Sequence, residues 1–409
     1  MALILQKFGG TSLANVDRIK SVAQRVVKEV EQGNQVVVVV SAMAGVTSQL
    51  VGWTHQCVHH QFTASEYDVV VSSGEQVTAG LMALALNDLG IESRSWMSWQ
   101  LPIYTNNHHK NAEIMRIDTQ SLREEMGKGR VAVVTGFQGL SPQNRVTTIG
   151  RGGSDYTAVA LAAALQADRC DIYTDVDGVY TADPRLITDA QKLDELSYQD
   201  VLDLAGYGAK VLHPQSVVCA QLGGIPLRVL SSFNHNEGTV IGSVARQLDY
   251  LGVTSRCDRA MFMIKLPREN KNICAELQKA FMDSCVELDY TCDFEPEEDY
   301  LILLVSKDDQ EEAESLLLEY NKAHKDKLES ITTYSRVAQV ALVGSITQVD
   351  TLASQVMDDL SEKNIDCYKM RKNAKALTLL LPVDKMEEAV KTLHSRYILK
   401  QTRSKKEVA

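Results

Sequence analysis

The chain has 409 residues, 44% of them hydrophobic, more than one compact core usually holds, which predicts two or three domains. A formal charge of −11 argues against a broad surface for nucleic acid or anionic lipid, yet leaves room for a local anion site. Eight cysteines with no CxxC pair and no metal-ligand spacing, a Met1 start without a basic and then apolar leader, and apolar runs far shorter than a membrane span predict a cytoplasmic enzyme with reduced thiols.

Leu3 to Phe8 reads as a short apolar strand ending in Gly9-Gly10. Asn15 to Glu31 carries helical spacing through Val16, Ile19, Val22, Ala23, Val26, Val27 and Val30, and Gly33 and Asn34 stop it. Val36 to Val40 is a run of valines, the pattern of a strand buried on both faces. Further helices are expected near 76–89 and 154–167, and further strands at Val131 to Thr135, Cys170 to Thr174 and Leu227 to Leu230. Apolar, non-alternating strands that alternate with helices predict an α/β fold with a mostly parallel sheet, whose ligands bind at the carboxyl ends of the strands.

From about Gly252 charged helices become common and glycine scarce. Strands at Ala260 to Leu266 and Tyr300 to Val305 and helices at Ile273 to Asp283 and Gln310 to Tyr320 are followed by a similar order at Val337 to Val343, Asp350 to Glu362, Ala376 to Leu381 and Met386 to Tyr397. This is a weak internal repeat of two small β-α-β-β-α units. The expected division is 1–245, 252–335 and 336–399, with a basic tail at 400–409 that reads as a frayed terminus.

Three glycine-marked turns sit where strands should end. Lys7-Phe8-Gly9-Gly10-Thr11-Ser12 offers backbone amides and a compact charge to phosphate, but its order is not that of a Walker A loop, and Gly-Gly after a strand is more often a plain turn. In Gly150-Arg151-Gly152-Gly153-Ser154-Asp155, Arg151 can hold a carboxylate through two hydrogen bonds and Asp155 can orient Lys7 or a metal-bound water; a helix start capped by Ser154 or Asp155 explains the segment equally well. Thr174 to Arg185 follows another apolar strand; Tyr180 can stack on a base and Arg185 can meet phosphate. A structural loop accounts for its Asp-Gly and Asp-Pro turns, not for its polar and aromatic groups. Ser41 and Glu75, each taken singly, read as helix caps. His55, His59 and His60 read as a solvated helix face, and His108-His109, in an Asn-rich loop, as no zinc site.

Taken together, these segments resemble the aspartokinase family. The matching text is KFGGTS at 7–12, Val39 to Met43 with Thr47, Ser73-Gly74-Glu75, GRGGSD at 150–155, TDVDGVYTADPR at 174–185 and Ala209 to Pro214, so that it covers residues 1–245. The resemblance implies an amino-acid-kinase-like α/β/α sandwich and transfer of the ATP γ-phosphate, with Mg²⁺, to the side-chain carboxylate of L-aspartate. It implies that Lys7 stabilises charge on the transferring phosphoryl with Gly9 and Gly10 assisting, and that Asp155 organises Lys7. Glu75 would receive the α-ammonium of aspartate and Arg151 its α-carboxylate, with Ser41 and Thr47 lining the pocket. Thr174, Asp175, Tyr180, Arg185 and Lys210 would hold ATP. A carboxylate nucleophile is already ionised at neutral pH, so no general base is required.

The carboxyl-terminal third resembles the paired α+β ACT (βαββαβ) domains with which family members bind effector amino acids, lysine or threonine, and pair as homodimers. The usual Asp-x-Pro-Gly-like turn has no counterpart: Leu266-Pro267-Arg268-Glu269 and Val343-Gly344-Ser345-Ile346 stand there. The pair is therefore expected to sense lysine or threonine, to sense another ligand, or to serve dimerisation alone. Two competing readings are a kinase for another acidic amino acid such as glutamate, and an inert sensing subunit. Intact Lys7, Glu75, Arg151 and Asp155 argue against the second.

Overall fold

The computed structural model describes residues 1–58, 63–150, 152–209, 212–244, 248–266, 273–284, 286, 288, 293–295, 300–324 and 327–400. The chain forms two compact units, one of Met1–Tyr180, Gln191–Gly206 and Lys210–Gln247, the other of Thr181–Ala190, Tyr207–Ala209 and Leu248–Ala409.

In the first unit, strands β1 (Leu3–Phe8), β2 (Gln35–Val40), β3 (Ser93–Trp96), β4 (Val131–Thr135), β5 (Arg169–Thr174), β6 (Glu195–Ser197), β7 (Leu227–Ser231) and β8 (Thr239–Gly242) form one sheet in the order β6-β8-β7-β5-β1-β2-β4-β3. Strands β1 to β5 and β7 run parallel; β8 is antiparallel to β7 and parallel to β6. The valine run of β2 is buried from Val36 to Val40 because helices cover both faces. One face packs on α1 (Val16–Glu31), whose Asn15 side chain caps the Arg18 amide at 2.9 Å. The same core takes Ala79, Met82 and Leu86 of α4 (Ser73–Asp88). Helices α2 (Val46–Cys57) and α3 (Ala64–Val71) lie between β2 and α4. The other face of the sheet is covered by α5 (Gly153–Leu165), whose alanine-rich surface is buried almost throughout.

Strand β1 lies between β5 and β2, with Phe8 paired to both Tyr173 and Val40. The carboxyl ends of three adjacent strands therefore open one crevice, as in other doubly covered parallel sheets. The stretch Ala64–Asp88 is long and apolar enough to cross a membrane by composition, but half of its apolar window is buried in the fold. Asp68 and Glu75 within it are buried as well. A four-stranded sheet of Ile103–Thr105, Ile114–Ile117, Gln138–Leu140 and Val146–Thr148, absent from the sequence-based expectation, stands beside it.

The second unit has a six-stranded antiparallel sheet of β9 (Tyr250–Lys265), β10 (Asp293–Glu295), β11 (Tyr300–Ser306), β12 (Ser330–Gly344), β13 (Lys369–Lys372) and β14 (Ala376–Pro382), in the order β10-β11-β9-β12-β14-β13. Helices at Ile273–Asp283, Gln310–Ala323, Val349–Ser361 and Met386–Leu393 complete two ACT-like β-α-β-β-α halves. Strands β9 and β12 pair from Tyr250↔Gly344 to Lys265↔Ser330, with register shifts around Arg256 and Arg259, so each serves both halves. One core gathers Phe262, Leu277, Phe281, Leu303 and Leu317. The other gathers Val340, Leu342, Val356, Leu379 and Leu393, and also Ala182, Ile187 and Val253. The first of these cores draws on residues 260–331 and the second on residues 338–398, with the segments around Ala182, Ile187 and Val253 added to the second.

Candidate active site

Lys7 occupies the penultimate position of β1, flanked by Val39 and Ile172, and is only 8% exposed. Its Nζ lies 2.6 Å from Asp155 Oδ1, a short charge-assisted contact that fixes a flexible side chain. Asp155 is in the first turn of α5, which begins after Gly152 at φ +70. The Gly9 amide donates to Tyr173 O at 3.1 Å, so the strand end binds it. A Cβ on Gly9 would stand 3.5 Å from Lys7 Nζ, an ordinary contact that does not by itself require glycine. A Cβ on Gly10 would come within 3.0 Å of Ala42 O, so the loop after β1 lies close against the loop after β2.

Glu75 sits in the first turn of α4, where the helix amides favour negative charge, and is 3% exposed. Its Oε1 accepts the Ala42 amide at 3.0 Å, while Oε2 has no hydrogen-bond partner among the described residues. Burial pushes the carboxyl up to about 7, against the opposing pull of the Ala42 amide, its own backbone amide and the Lys7 charge. Gly74 makes the approach feasible: a Cβ there would lie 2.8 Å from Ala42 Cβ. Ser41 is half-buried and donates its amide to Phe8 O at 3.1 Å; Thr47, also half-buried, is in the first turn of α2, after Gly45 at φ +81.

The nucleotide-associated residues divide. Thr174 closes β5 and donates Oγ1 to Asp175 Oδ1 at 3.0 Å, with Asp175 exposed. Tyr180 donates its hydroxyl to Asp177 Oδ1 at 2.6 Å, and Asn236 Nδ2 lies 2.5 Å from Asp177 Oδ2. The Asp177 contact pushes the Tyr180 hydroxyl up to about 12 and holds Asp177 below its usual range. Arg185 is exposed, bonds Asp183 at 2.7 Å and belongs to the second unit. Arg151 and Lys210 lie outside the described residues. Among those described, no group of three His, Cys, Asp or Glu could hold a metal. The sequence reading missed the Ala42 amide as the partner of Glu75, and Asp177 as the residue that orients Tyr180. A backbone donor leaves no sequence signal, and Asp177 is disguised as a turn residue.

The profile of the amino acid kinase family matches residues 2–231. An aspartokinase of Rickettsia felis is 38% identical over 98% of this chain and 99% of its own length, and aspartokinase 2 of Bacillus subtilis is 37% identical over 98% of each. The chain belongs to the aspartokinase family. Its fold matches E. coli aspartokinase III in complex with aspartate and ADP (R-state), at TM-score 0.82 and 23% identity over 97% of this chain and 100% of that one. The same enzyme in complex with lysine and aspartate (T-state) matches at TM-score 0.74 and 24% identity, covering 96% and 99%. The Lys7–Asp155 pair and the buried Glu75 fall at the carboxyl end of the central strands.

Proposed function

We infer that the chain transfers the γ-phosphate of ATP to the side-chain carboxylate of L-aspartate, giving 4-phospho-L-aspartate and ADP, the opening step of aspartate-derived amino-acid biosynthesis. The observation that carries this reading is Glu75, a buried carboxylate whose Oε2 is unpaired, at the strand ends that hold the Lys7–Asp155 pair. A buried, half-satisfied acid calls for a cationic ligand group, and the α-ammonium of an amino acid supplies one.

The attacking carboxylate needs no base, so catalysis rests on aligning two anions and neutralising charge between them. Lys7 stands at the developing charge, and Asp155 keeps its side chain from wandering. Glu75 takes the α-ammonium and Arg151 the α-carboxylate, with Ser41 and Thr47 lining the pocket. Thr174, Asp175, Tyr180, Arg185 and Lys210 hold ATP, with Gly9 and Gly10 assisting Lys7 at the phosphates. Mg²⁺ fits as an ion held chiefly by the nucleotide phosphates, because it keeps most of its waters and takes few protein ligands; bound there it would neutralise phosphate charge. The acyl phosphate product hydrolyses readily, which favours a site that sheds water.

Residues 1–245 carry the chemistry in this reading, and the ACT-like halves, expected at 252–335 and 336–399, carry effector sensing and homodimer pairing through sheet edges. The enzyme works in the cytoplasm. The altered turns, of which Pro267 to Glu269 lie outside the described residues, predict little inhibition by saturating lysine plus threonine. The experiment is ADP release with aspartate, with glutamate and with no acceptor, each with and without the two effectors. Aspartate-dependent turnover that glutamate does not match supports the reading; turnover with glutamate alone contradicts it, and strong inhibition contradicts the effector expectation.

A further inference from the structure

Asp68 lies on α3, outside every motif named above, and is fully buried. Its carboxylate gathers partners from two distant segments: His109 Nδ1 at 2.6 Å, the Lys110 amide at 3.1 Å and Thr148 Oγ1 at 2.6 Å. A carboxylate only accepts, so His109 Nδ1 carries the proton in this contact. Lys110 is held at φ +70, a left-handed conformation that a non-glycine residue keeps only where its surroundings enforce it. The network is thus built at some conformational cost, and a buried acid with this many partners is fixed in place.

Its position suggests what is being fixed. Helix α3 leads through Ser72 into α4, where Glu75 follows Asp68 by two helical turns. Thr148 ends the strand that leads through Ile149 to Gly150 and on to Asp155, the partner of Lys7. Gly150, at φ +83, lies so close to the 106–111 loop that a Cβ would stand 2.6 Å from Asn111 Oδ1. A second strut runs alongside: Gln138, paired with Thr148 across the small sheet, donates Nε2 to Ser72 O at 3.1 Å. Asp68 therefore ties the helix that brings Glu75 to the strand that brings Asp155.

We propose that Asp68, through His109 and Thr148, is a positioning residue for the amino-acid substrate, setting the spacing between Glu75 and the start of α5. The proposal rests on the aspartate kinase reading for what that spacing serves. The tests are Asp68→Asn, Thr148→Val and the conservative Thr148→Ser in the full chain, followed by separate KM values for aspartate and ATP, melting temperature, and hydrogen exchange of the 106–112 and 148–155 peptides.

Asp68→Asn is expected to raise KM for aspartate about tenfold or more, to leave KM for ATP within about twofold, and to speed exchange in both peptides. Thr148→Val follows in the same direction, and Thr148→Ser stays near wild type. A wild-type KM for aspartate in Asp68→Asn, or equal rises in both KM values, overturns the proposal, as does Thr148→Ser matching Thr148→Val. Where Asp68→Asn fails to fold, the Thr148 pair decides. Should the wild type turn over no aspartate, the kinase reading fails, and exchange still decides the strut: unchanged protection in the variants refutes it, and faster exchange in both peptides upholds it.

Discussion

Glu75 is the residue whose chemistry is most tightly set by its surroundings. Burial raises its carboxyl from 4.5 to about 7, so between those values the folded chain holds a proton that the unfolded chain has shed. Stability must then fall as pH rises through that window, by on the order of 3 kcal/mol once the group is ionised in both states. Without aspartate, Glu75→Gln should melt higher than wild type at pH 8, with the difference shrinking toward pH 5; parallel pH profiles would contradict the assignment. With Glu75 in its proposed role, the same substitution removes the negative charge that meets the substrate ammonium and should raise KM for aspartate by about a hundredfold, the scale for breaking a buried charge pair. The wild-type KM should itself rise as pH falls below 7, as Glu75 takes up its proton, and the variant should lose that dependence. Steady-state kinetics from pH 6 to 8 measure both.

At the scale of elements, close packing of loops makes the site. Gly74→Ala would press a methyl against Ala42 Cβ, 2.8 Å away, and drive the Ala42 amide off Glu75. An overpacked core position of this kind costs about 1–3 kcal/mol, which chemical denaturation would show as a lowered midpoint, together with a raised KM for aspartate. Elements whose signals are local were legible in the sequence. The valine run gave β2, 3.6-residue spacing gave α1, with Asn15 proving to be its cap, and Ile273–Asp283 emerged with the expected bounds. The strands Ile103–Thr105, Gln138–Leu140 and Val146–Thr148 were not legible, because three residues show no periodicity. Asp68 was hidden for a related reason: His109 is 41 residues away and Thr148 is 80. Asp155 was expected to orient Lys7, and the fold adds their 2.6 Å contact, whereas the Ala42 amide as partner of Glu75 came only from the fold. Ala260 to Leu266, expected as a strand of its own, proved to be the end of a sixteen-residue strand that closes at Lys265.

At the scale of the whole molecule, one motif is divided between the two units. Tyr180 ends a segment of the first, and Thr181 begins a segment of the second. Within the second unit, Thr181 O accepts the Val253 amide at 2.7 Å, and its Oγ1 lies 2.9 Å from Nε2 of buried His394. Ala182 and Ile187 join the core there. Burial lowers the His394 pKa, with Asp189 opposing it, so the unfolded chain binds more protons below about 6.5. This contribution to stability is present above that pH and lost as pH falls. His394→Gln, which cannot charge, should flatten the decline in melting temperature between pH 7 and 5; an unchanged decline would contradict the buried, neutral histidine.

With the Lys7–Asp155 pair serving phosphoryl transfer to an amino-acid carboxylate, hydroxylamine should trap the acyl phosphate as it forms. Aspartyl hydroxamate should form with the wild type in the presence of ATP, Mg²⁺ and aspartate. It should fall by at least about a hundredfold in Lys7→Ala, the scale for losing one preorganised charge at a transition state, while the variant keeps its melting temperature. Hydroxamate at wild-type rates in a folded Lys7→Ala, or none from a wild type that binds ATP, would contradict the account.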